Sequence, residues 1–175
     1  MKLLIALMTA AALSGVPQNS RTASTTGPGR VAPSISFKDL DGAAVRLSDV
    51  KGRVVLLDFW ASWCAPCEAS FPALDAMAVS LQDRQFAVFA VSVDEKRKSL
   101  DAFLDAHPHR MRVLRDERMA AADAFKVIGI PTAFVIDREG RIRFSHPGYA
   151  LDTVDVLRRE ILSLLDERPG GAGLY

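Results

Sequence analysis

The chain has 175 residues, of which 49% are hydrophobic and 25% charged, a composition typical of one globular domain and not of a disordered or fibrous chain. Its 22 Lys and Arg nearly balance 21 Asp and Glu, so a net charge of +1 gives no reason to expect nucleic acid or an anionic membrane as a partner. Two cysteines are too few for a disulfide-stapled mini-domain, and a zinc site would need histidines from a pool of three.

The first 23 residues predict a signal peptide. Lys2 precedes an apolar run that ends at Leu13, which is shorter than the roughly 20 residues that span a bilayer in a helix. Small residues suited to a signal peptidase follow it; the alternative is a buried or amphipathic N-terminal helix. We therefore expect an exported, periplasmic protein, soluble after cleavage or tethered by an uncleaved N-terminal segment. Residues 24–34 are rich in Gly, Pro, Ser and Thr and predict a flexible linker.

Residues 35–168 predict one α/β domain, and residues 169–175 a loose tail. The predicted elements are, in chain order, an N-terminal β-hairpin over 34–47, a buried strand over 53–59, a helix over 68–81, a second buried strand over 86–93, helices over 98–106 and 119–125, a hairpin of strands 132–136 and 141–145, and a helix over 151–165. Strands that alternate with helices and end in a hairpin predict a mixed central β-sheet flanked by helices.

Cys64 and Cys67 stand where the first buried strand gives way to a helix. Side chains three residues apart in the first helical turn can bring their sulfurs to bonding distance with little strain. The unpaired N–H groups and the dipole of a helix N-terminus favour a thiolate there, and Pro66 suits a first turn that does not need its N–H. We therefore predict Cys64 as an exposed nucleophile and Cys67 as the resolving thiol, exchanging dithiol and disulfide with no cofactor.

Other roles for the cysteines are less favoured. A purely structural disulfide that closes so short a loop would constrain the unfolded chain very little. A metal site could combine the cysteines with two of His107, His109 and His146, but these histidines stand next to prolines at expected turns, where surface positions are favoured. Peroxidase chemistry at one cysteine would leave the second unexplained. We therefore predict a redox pair and no metal site.

The segment Asp58–Cys67, DFWASWCAPC, strongly resembles the active-site segment of thioredoxin-like proteins, and Gly129–Thr132, GIPT, resembles their cis-proline loop. Further matching segments lie across residues 33–150. Together they resemble the exported TlpA/ResA-type thiol–disulfide oxidoreductases of the redoxin or AhpC/TSA-like branch. This resemblance implies a thioredoxin-like fold with the N-terminal β-hairpin and a central helical insertion over about 95–115.

The resemblance also implies a client-binding groove beside the cysteines. Pro131 would be cis, so that the backbone of the Ile130–Pro131 segment lies next to Cys64 and can pair with an extended client chain; the alternative is an ordinary strand-edge proline. Trp63 would present an apolar docking surface, or serve as a simple core aromatic. The full predicted groove is Trp63, Pro66, Ile130, Pro131 and Thr132.

Asp58 is a carboxylate inside an otherwise apolar strand, so desolvation should raise its pKa and suit it to carry a proton to or from Cys67. The alternative is a side chain tipped toward solvent at the strand end. Thioredoxin has Asp at the matching position, whereas many TlpA-like sequences have Asn. Ser70 stands where many relatives carry a Glu, and Ala90 where thioredoxin has a lysine that would partner Asp58.

The direction of electron flow stays open at this point. The resemblance favours a periplasmic reductase that receives electrons from a membrane-side thiol donor, such as a DsbD/CcdA-like reductant, and reduces client disulfides during cytochrome c or metal-centre maturation. One alternative is a disulfide oxidase or isomerase, because potentials of such pairs run from roughly −270 to −120 mV and the spacing does not set them. The other is a non-enzymatic module that binds a metal or a partner through the thiols.

Overall fold

The computed structural model describes residues 29–167, so the predicted signal peptide and C-terminal tail lie outside the described residues. The strands within this range are β1 (Arg30–Val31), β2 (Ser36–Asp39), β3 (Ala44–Arg46), β4 (Val54–Trp60), β5 (Phe86–Ser92), β6 (Arg112–Arg115), β7 (Thr132–Ile136) and β8 (Arg141–Pro147). The helices are α1 (Ala65–Ser80), α2 (Arg97–Ala106), α3 (Ala120–Phe125) and α4 (Thr153–Asp166), with a 3-10 turn at Leu47–Val50.

The described strands form one mixed sheet in the order β1-β8-β7-β4-β5-β6-β2-β3. Its centre is β4, which pairs in parallel with β5 and antiparallel with β7. All seven residues of β4 are buried, as expected for a β-branched and apolar run covered by helices on both faces. This arrangement confirms the predicted α/β architecture, and it brings the C-terminal end of β4 to the start of α1.

Aromatic contacts show how the two faces of β4 are covered. Trp60 lies 4.9 Å, between ring centroids, from both Phe71 of α1 and Phe103 of α2. Phe59, the preceding residue, points to the other face and lies 5.6 Å from Phe125 of α3. None of the helices described is long and apolar enough to cross a membrane.

The predicted elements are present, with shifts of a few residues at their ends, and two strands were not predicted. Strand β6 pairs with β5 and β2, so it joins the N-terminal hairpin to the sheet and, with α2, forms the central insertion. Strand β1 lies inside the segment predicted as a linker, where Arg30 and Val31 pair with β8. Paired structure therefore begins before residue 35, and the linker prediction needs correction for these two residues.

Candidate active site

Cys64 and Cys67 form a disulfide at the N-terminus of α1. Cys64 is the N-cap residue, and its Sγ accepts a hydrogen bond from the backbone N–H of Cys67 at 3.3 Å. Cys64 is 6% exposed and Cys67 is 2% exposed. The prediction of an exposed Cys64 is therefore wrong for this disulfide form, because the sulfur faces the helix N-terminus. Cys64 is still the more accessible of the two.

A groove of about 960 Å³ runs beside the disulfide segment, a volume at the upper end of the range typical of ligand sites. Trp63 lines it and is 70% exposed, and Ile130 lines it from the opposite loop. The full lining is Trp63, Val93, Asp94, Glu95, Lys96, Ser99, Glu117, Arg118, Met119, Val127, Ile128, Gly129 and Ile130. The structure thus brings together two of the five predicted groove residues.

The other three predicted groove residues have different positions. The Ile130–Pro131 peptide is cis, as predicted, but Pro131 is buried and lines a separate, small cavity. Thr132 is also buried, and its hydroxyl donates to the carbonyl of Gly129 at 2.6 Å, which shapes the loop. Pro66 is exposed in the first turn of α1 and is not part of the groove lining.

Three residues of the site were missed from sequence. Met119 and Ile128 line the groove and are 45% and 103% exposed; with Trp63 they make three large exposed apolar side chains on one surface, which is typical of an interaction site. The adjacent apolar residues Val127 and Ile128, in a segment predicted as a loop, were the sequence signal that could have indicated this apolar surface. Asp94, just after β5, is buried and holds Ser62 in the loop that leads to Cys64.

Asp58 lies in the middle of the sheet, only 6% exposed, and desolvation by burial raises its pKa from 3.8 to about 8. This agrees with the predicted raised pKa and excludes a side chain tipped into solvent. Asp58 borders a cavity of about 10 Å³, which is room for about one water molecule. Ser70 lines the same cavity and donates from its hydroxyl to the carbonyl of Cys67 at 3.0 Å, so one residue of α1 contacts both the cavity and the resolving cysteine.

The histidines considered for a metal site have other contacts. Nε2 of His107 lies 3.4 Å from Oε1 of Glu68, and Nε2 of His146 lies 2.7 Å from Oε2 of Glu160. Nδ1 of His109 lies 3.0 Å from the carbonyl oxygen of His107. Within residues 29–167, no group of three or more His, Cys, Asp and Glu side chains is placed to hold a metal ion.

A cystine at the N-terminus of a helix, a cis-proline loop that shares a groove with Trp63 and a central strand with parallel and antiparallel neighbours define a thioredoxin-like thiol–disulfide oxidoreductase. The pattern of the AhpC/TSA family matches residues 28–145, and the chain belongs to that family.

The relatives are consistent with this activity. The chain is 37% identical over 123 residues to the thioredoxin-like protein YneN of Bacillus subtilis, covering 69% of this chain and 71% of YneN. It is 32% identical over 114 residues to the thiol-disulfide oxidoreductase ResA of the same organism, covering 65% of this chain and 64% of ResA. A crystal structure assigned as the thiol:disulfide interchange protein DsbE of Chlorobium tepidum has a TM-score of 0.76 and 36% identity, over 80% of this chain and 99% of that one.

Proposed function

We propose that this protein is an exported reductase of protein disulfides. The observation that carries the direction of electron flow is the charge around the cysteines. Ala65 and Pro66, which separate the two cysteines, put no cation beside Cys64, and Asp58 is a buried acid that borders the same small cavity as Ser70 of α1. Both cysteines are buried, which disfavours a charged thiolate, and a less stabilised dithiol is a better electron donor, because strong oxidants owe their potential to a stabilised reduced form.

The groove supports a protein client over a small molecule. Its exposed apolar side chains offer area to an extended chain, and its three acidic residues, Asp94, Glu95 and Glu117, nearly balance Lys96 and Arg118. Steering by net charge is therefore weak, and client choice depends on apolar contacts. Because the chain is similar to proteins named ResA and DsbE, we extend the proposal to clients of the cytochrome c or metal-centre maturation type and to a DsbD/CcdA-like membrane-side donor.

In the proposed cycle, the Cys64 thiolate attacks one sulfur of the client disulfide and displaces the other sulfur as a thiolate. Asp58, which its pKa of about 8 keeps mostly protonated at pH 7, first ionises and then takes the proton of the Cys67 thiol; the Cys67 thiolate attacks the Cys64 sulfur of the mixed disulfide. The Cys64–Cys67 disulfide forms, the client leaves as a dithiol, and two electrons have moved from protein to client. These steps use Cys64, Cys67 and Asp58 and need no cofactor.

The test combines trapping with a redox titration. Cys67→Ser should accumulate a mixed disulfide with a reporter client through Cys64, whereas Cys64→Ser should form none and reduce no insulin disulfide. Equilibration of the wild-type pair against dithiothreitol should give a potential nearer the roughly −270 mV end of the range for such pairs than the −120 mV end. A potential at the oxidising end would favour the oxidase or isomerase. Tight metal binding without any insulin reduction would favour a non-enzymatic thiol module.

A further inference from the structure

A row of three residues crosses the sheet beneath α4. Asp58 of β4 is paired with Ala133 of β7, and Ala133 is paired with His146 of β8. Laterally paired residues point to the same face of a sheet, so Asp58 and His146 share a face with only a methyl group between them. Neighbouring strands lie about 4.8 Å apart, which puts the two backbones roughly 10 Å from one another.

Two cavities that share lining residues border this row. The inner one borders Asp58, and the outer one borders His146 and is open to solvent. Both are lined by the turn that follows β8, through Gly148, Tyr149 and Thr153. The turn is fixed at both ends, because the N–H of Gly148 donates to the carbonyl of Pro131 at 2.7 Å and the N–H of Ala150 donates to the hydroxyl of Thr153 at 2.8 Å.

Few other groups on these walls can bind or release a proton. Among the residues that line the inner cavity, Asp58 and Tyr149 have titratable side chains. The other lining residues are Ser70, Leu74, Pro131, Ala133, Gly148, Thr153, Val154 and Leu157. The outer cavity adds His146 and Asp152. His146 is paired with Glu160 of α4 at 2.7 Å, and both side chains are less than one quarter exposed.

We propose that His146 is the outer proton acceptor for Asp58, with the hydroxyl-bearing turn of Tyr149 and Thr153 as the connection between them. The proposal rests on the proton role proposed for Asp58. At pH 7 Asp58, whose pKa is about 8, is mostly neutral, so it must lose its own proton before it can take that of Cys67 in the same turnover. The imidazole of His146 accepts the proton that Asp58 loses beside Glu160 and releases it to water, while the client thiolate is protonated from water, so the proton balance closes.

The experiment measures single-turnover oxidation of the reduced protein by a peptide disulfide, at pH 7 in dilute phosphate buffer. His146→Ala should lower the rate by about tenfold, less than the roughly 10²–10⁴-fold of a group at the reacting atoms, because it acts one transfer away. Added imidazole should restore the rate. His146→Gln retains a donor to Glu160 but carries no proton, so it should be equally slow at unchanged thermal stability.

The control is His107→Ala, which removes the other histidine paired with a glutamate, Glu68, outside both cavities. Its rate should not respond to imidazole. In an Asp58→Asn background, His146→Ala should cause no further loss. Full activity of His146→Gln would overturn the proposal. It would also be overturned if imidazole did not restore the rate of His146→Ala and the loss in that variant added to the loss caused by Asp58→Asn. If Asp58→Asn alone leaves the pH–rate profile unchanged, the proton role of Asp58 fails instead.

Discussion

Ser62 donates two hydrogen bonds to the carboxylate of Asp94, one from its backbone N–H at 2.9 Å and one from its hydroxyl at 2.6 Å. Asp94 is 3% exposed, and the hydroxyl of Ser92 donates to it as well, at 2.8 Å. The loop between β4 and Cys64 is thereby tied to the end of β5, 32 residues further along the chain. This contact holds Trp63, and hence one wall of the groove, in position.

Replacement of Asp94 should impair client binding more than chemistry. Asp94→Ala leaves three donors without their acceptor, which should lower the free energy of unfolding by about 2 kcal/mol. Because the loop that carries Trp63 is released, we expect a several-fold higher KM for a protein client and a nearly unchanged kcat, with dithiothreitol oxidation unaffected. Asp94→Asn, which keeps one acceptor oxygen, should recover part of the KM.

Asp75 offers the matched control for this measurement. Its carboxylate also accepts two long-range hydrogen bonds, from the N–H groups of Arg110 and Met111 at 2.6 and 2.8 Å, but it does not line the groove. Asp75→Ala should lower the free energy of unfolding by an amount comparable to that of Asp94→Ala, and it should leave the KM for the protein client unchanged. Equal KM effects in the two variants would show that Asp94 acts only through stability.

The burial of Asp58 should make the protein less stable as the pH rises. The pKa of Asp58 is about 8 in the folded state, whereas its ordinary value, taken for the unfolded state, is 3.8. Between pH 3.8 and pH 8 the folded state therefore holds a proton that the unfolded state has lost. The contribution of Asp58 to the free energy of unfolding is fully present below about pH 4 and is lost progressively up to about pH 8. Over this range the free energy of unfolding falls by up to about 1.4 kcal/mol per pH unit.

Asp58→Asn removes this titration, so the difference between variant and wild type isolates it from all other groups. Urea unfolding of the disulfide form from pH 5 to pH 9 should show the variant gaining stability relative to wild type across the range and levelling off above pH 8. Parallel stability curves would mean that Asp58 is ionised in the folded protein near neutral pH.

The central strands and the redox site were predictable from the sequence for a local reason. Strands β4 and β5 are continuous apolar runs, and Cys64 and Cys67 are only three residues apart. Strand β6 was missed because four residues, Arg-Val-Leu-Arg, carry too short a pattern, and their strand conformation depends on pairing with distant β2 and β5. The contact of Asp94 with Ser62 is likewise long-range, so no local spacing indicates it.

The apolar wall of the groove should determine which clients are reduced. Met119 has a left-handed backbone with φ of 55°, a conformation that Asn tolerates, so Met119→Asn removes the apolar side chain without added strain. Met119→Asn and Ile128→Ser should each lower kcat/KM for an apolar peptide disulfide by about fivefold, or about 1 kcal/mol of lost contact. Reduction of glutathione disulfide should be unchanged.

Leu151 provides the control, because it is 97% exposed and lies outside the groove lining. Leu151→Ser should change neither substrate's kcat/KM. A fivefold loss in Leu151→Ser, or an equal loss for peptide and glutathione disulfides in the groove variants, would contradict apolar recognition by this surface.

The cavity beside Asp58 should not tolerate an acid at position 70. Ser70 is 5% exposed and borders a space of only about 10 Å³. Ser70→Glu must overpack this space and bring a second carboxyl toward Asp58, which should lower the free energy of unfolding by at least about 2 kcal/mol at pH 8. The loss should be smaller at pH 5, where the two carboxyls need not both be charged.

Two further variants separate volume from charge at this position. Ser70→Gln adds nearly the same volume without charge, so its loss should not depend on pH, and Ser70→Ala should cost only about 1 kcal/mol for the hydrogen bond to Cys67. If Asp58→Asn combined with Ser70→Glu regains stability at pH 8, the repulsion between the two carboxyls is the cause. If Ser70→Glu is as stable as wild type at pH 8, the glutamate side chain reaches solvent, and the prediction that the cavity excludes an acid at position 70 is wrong.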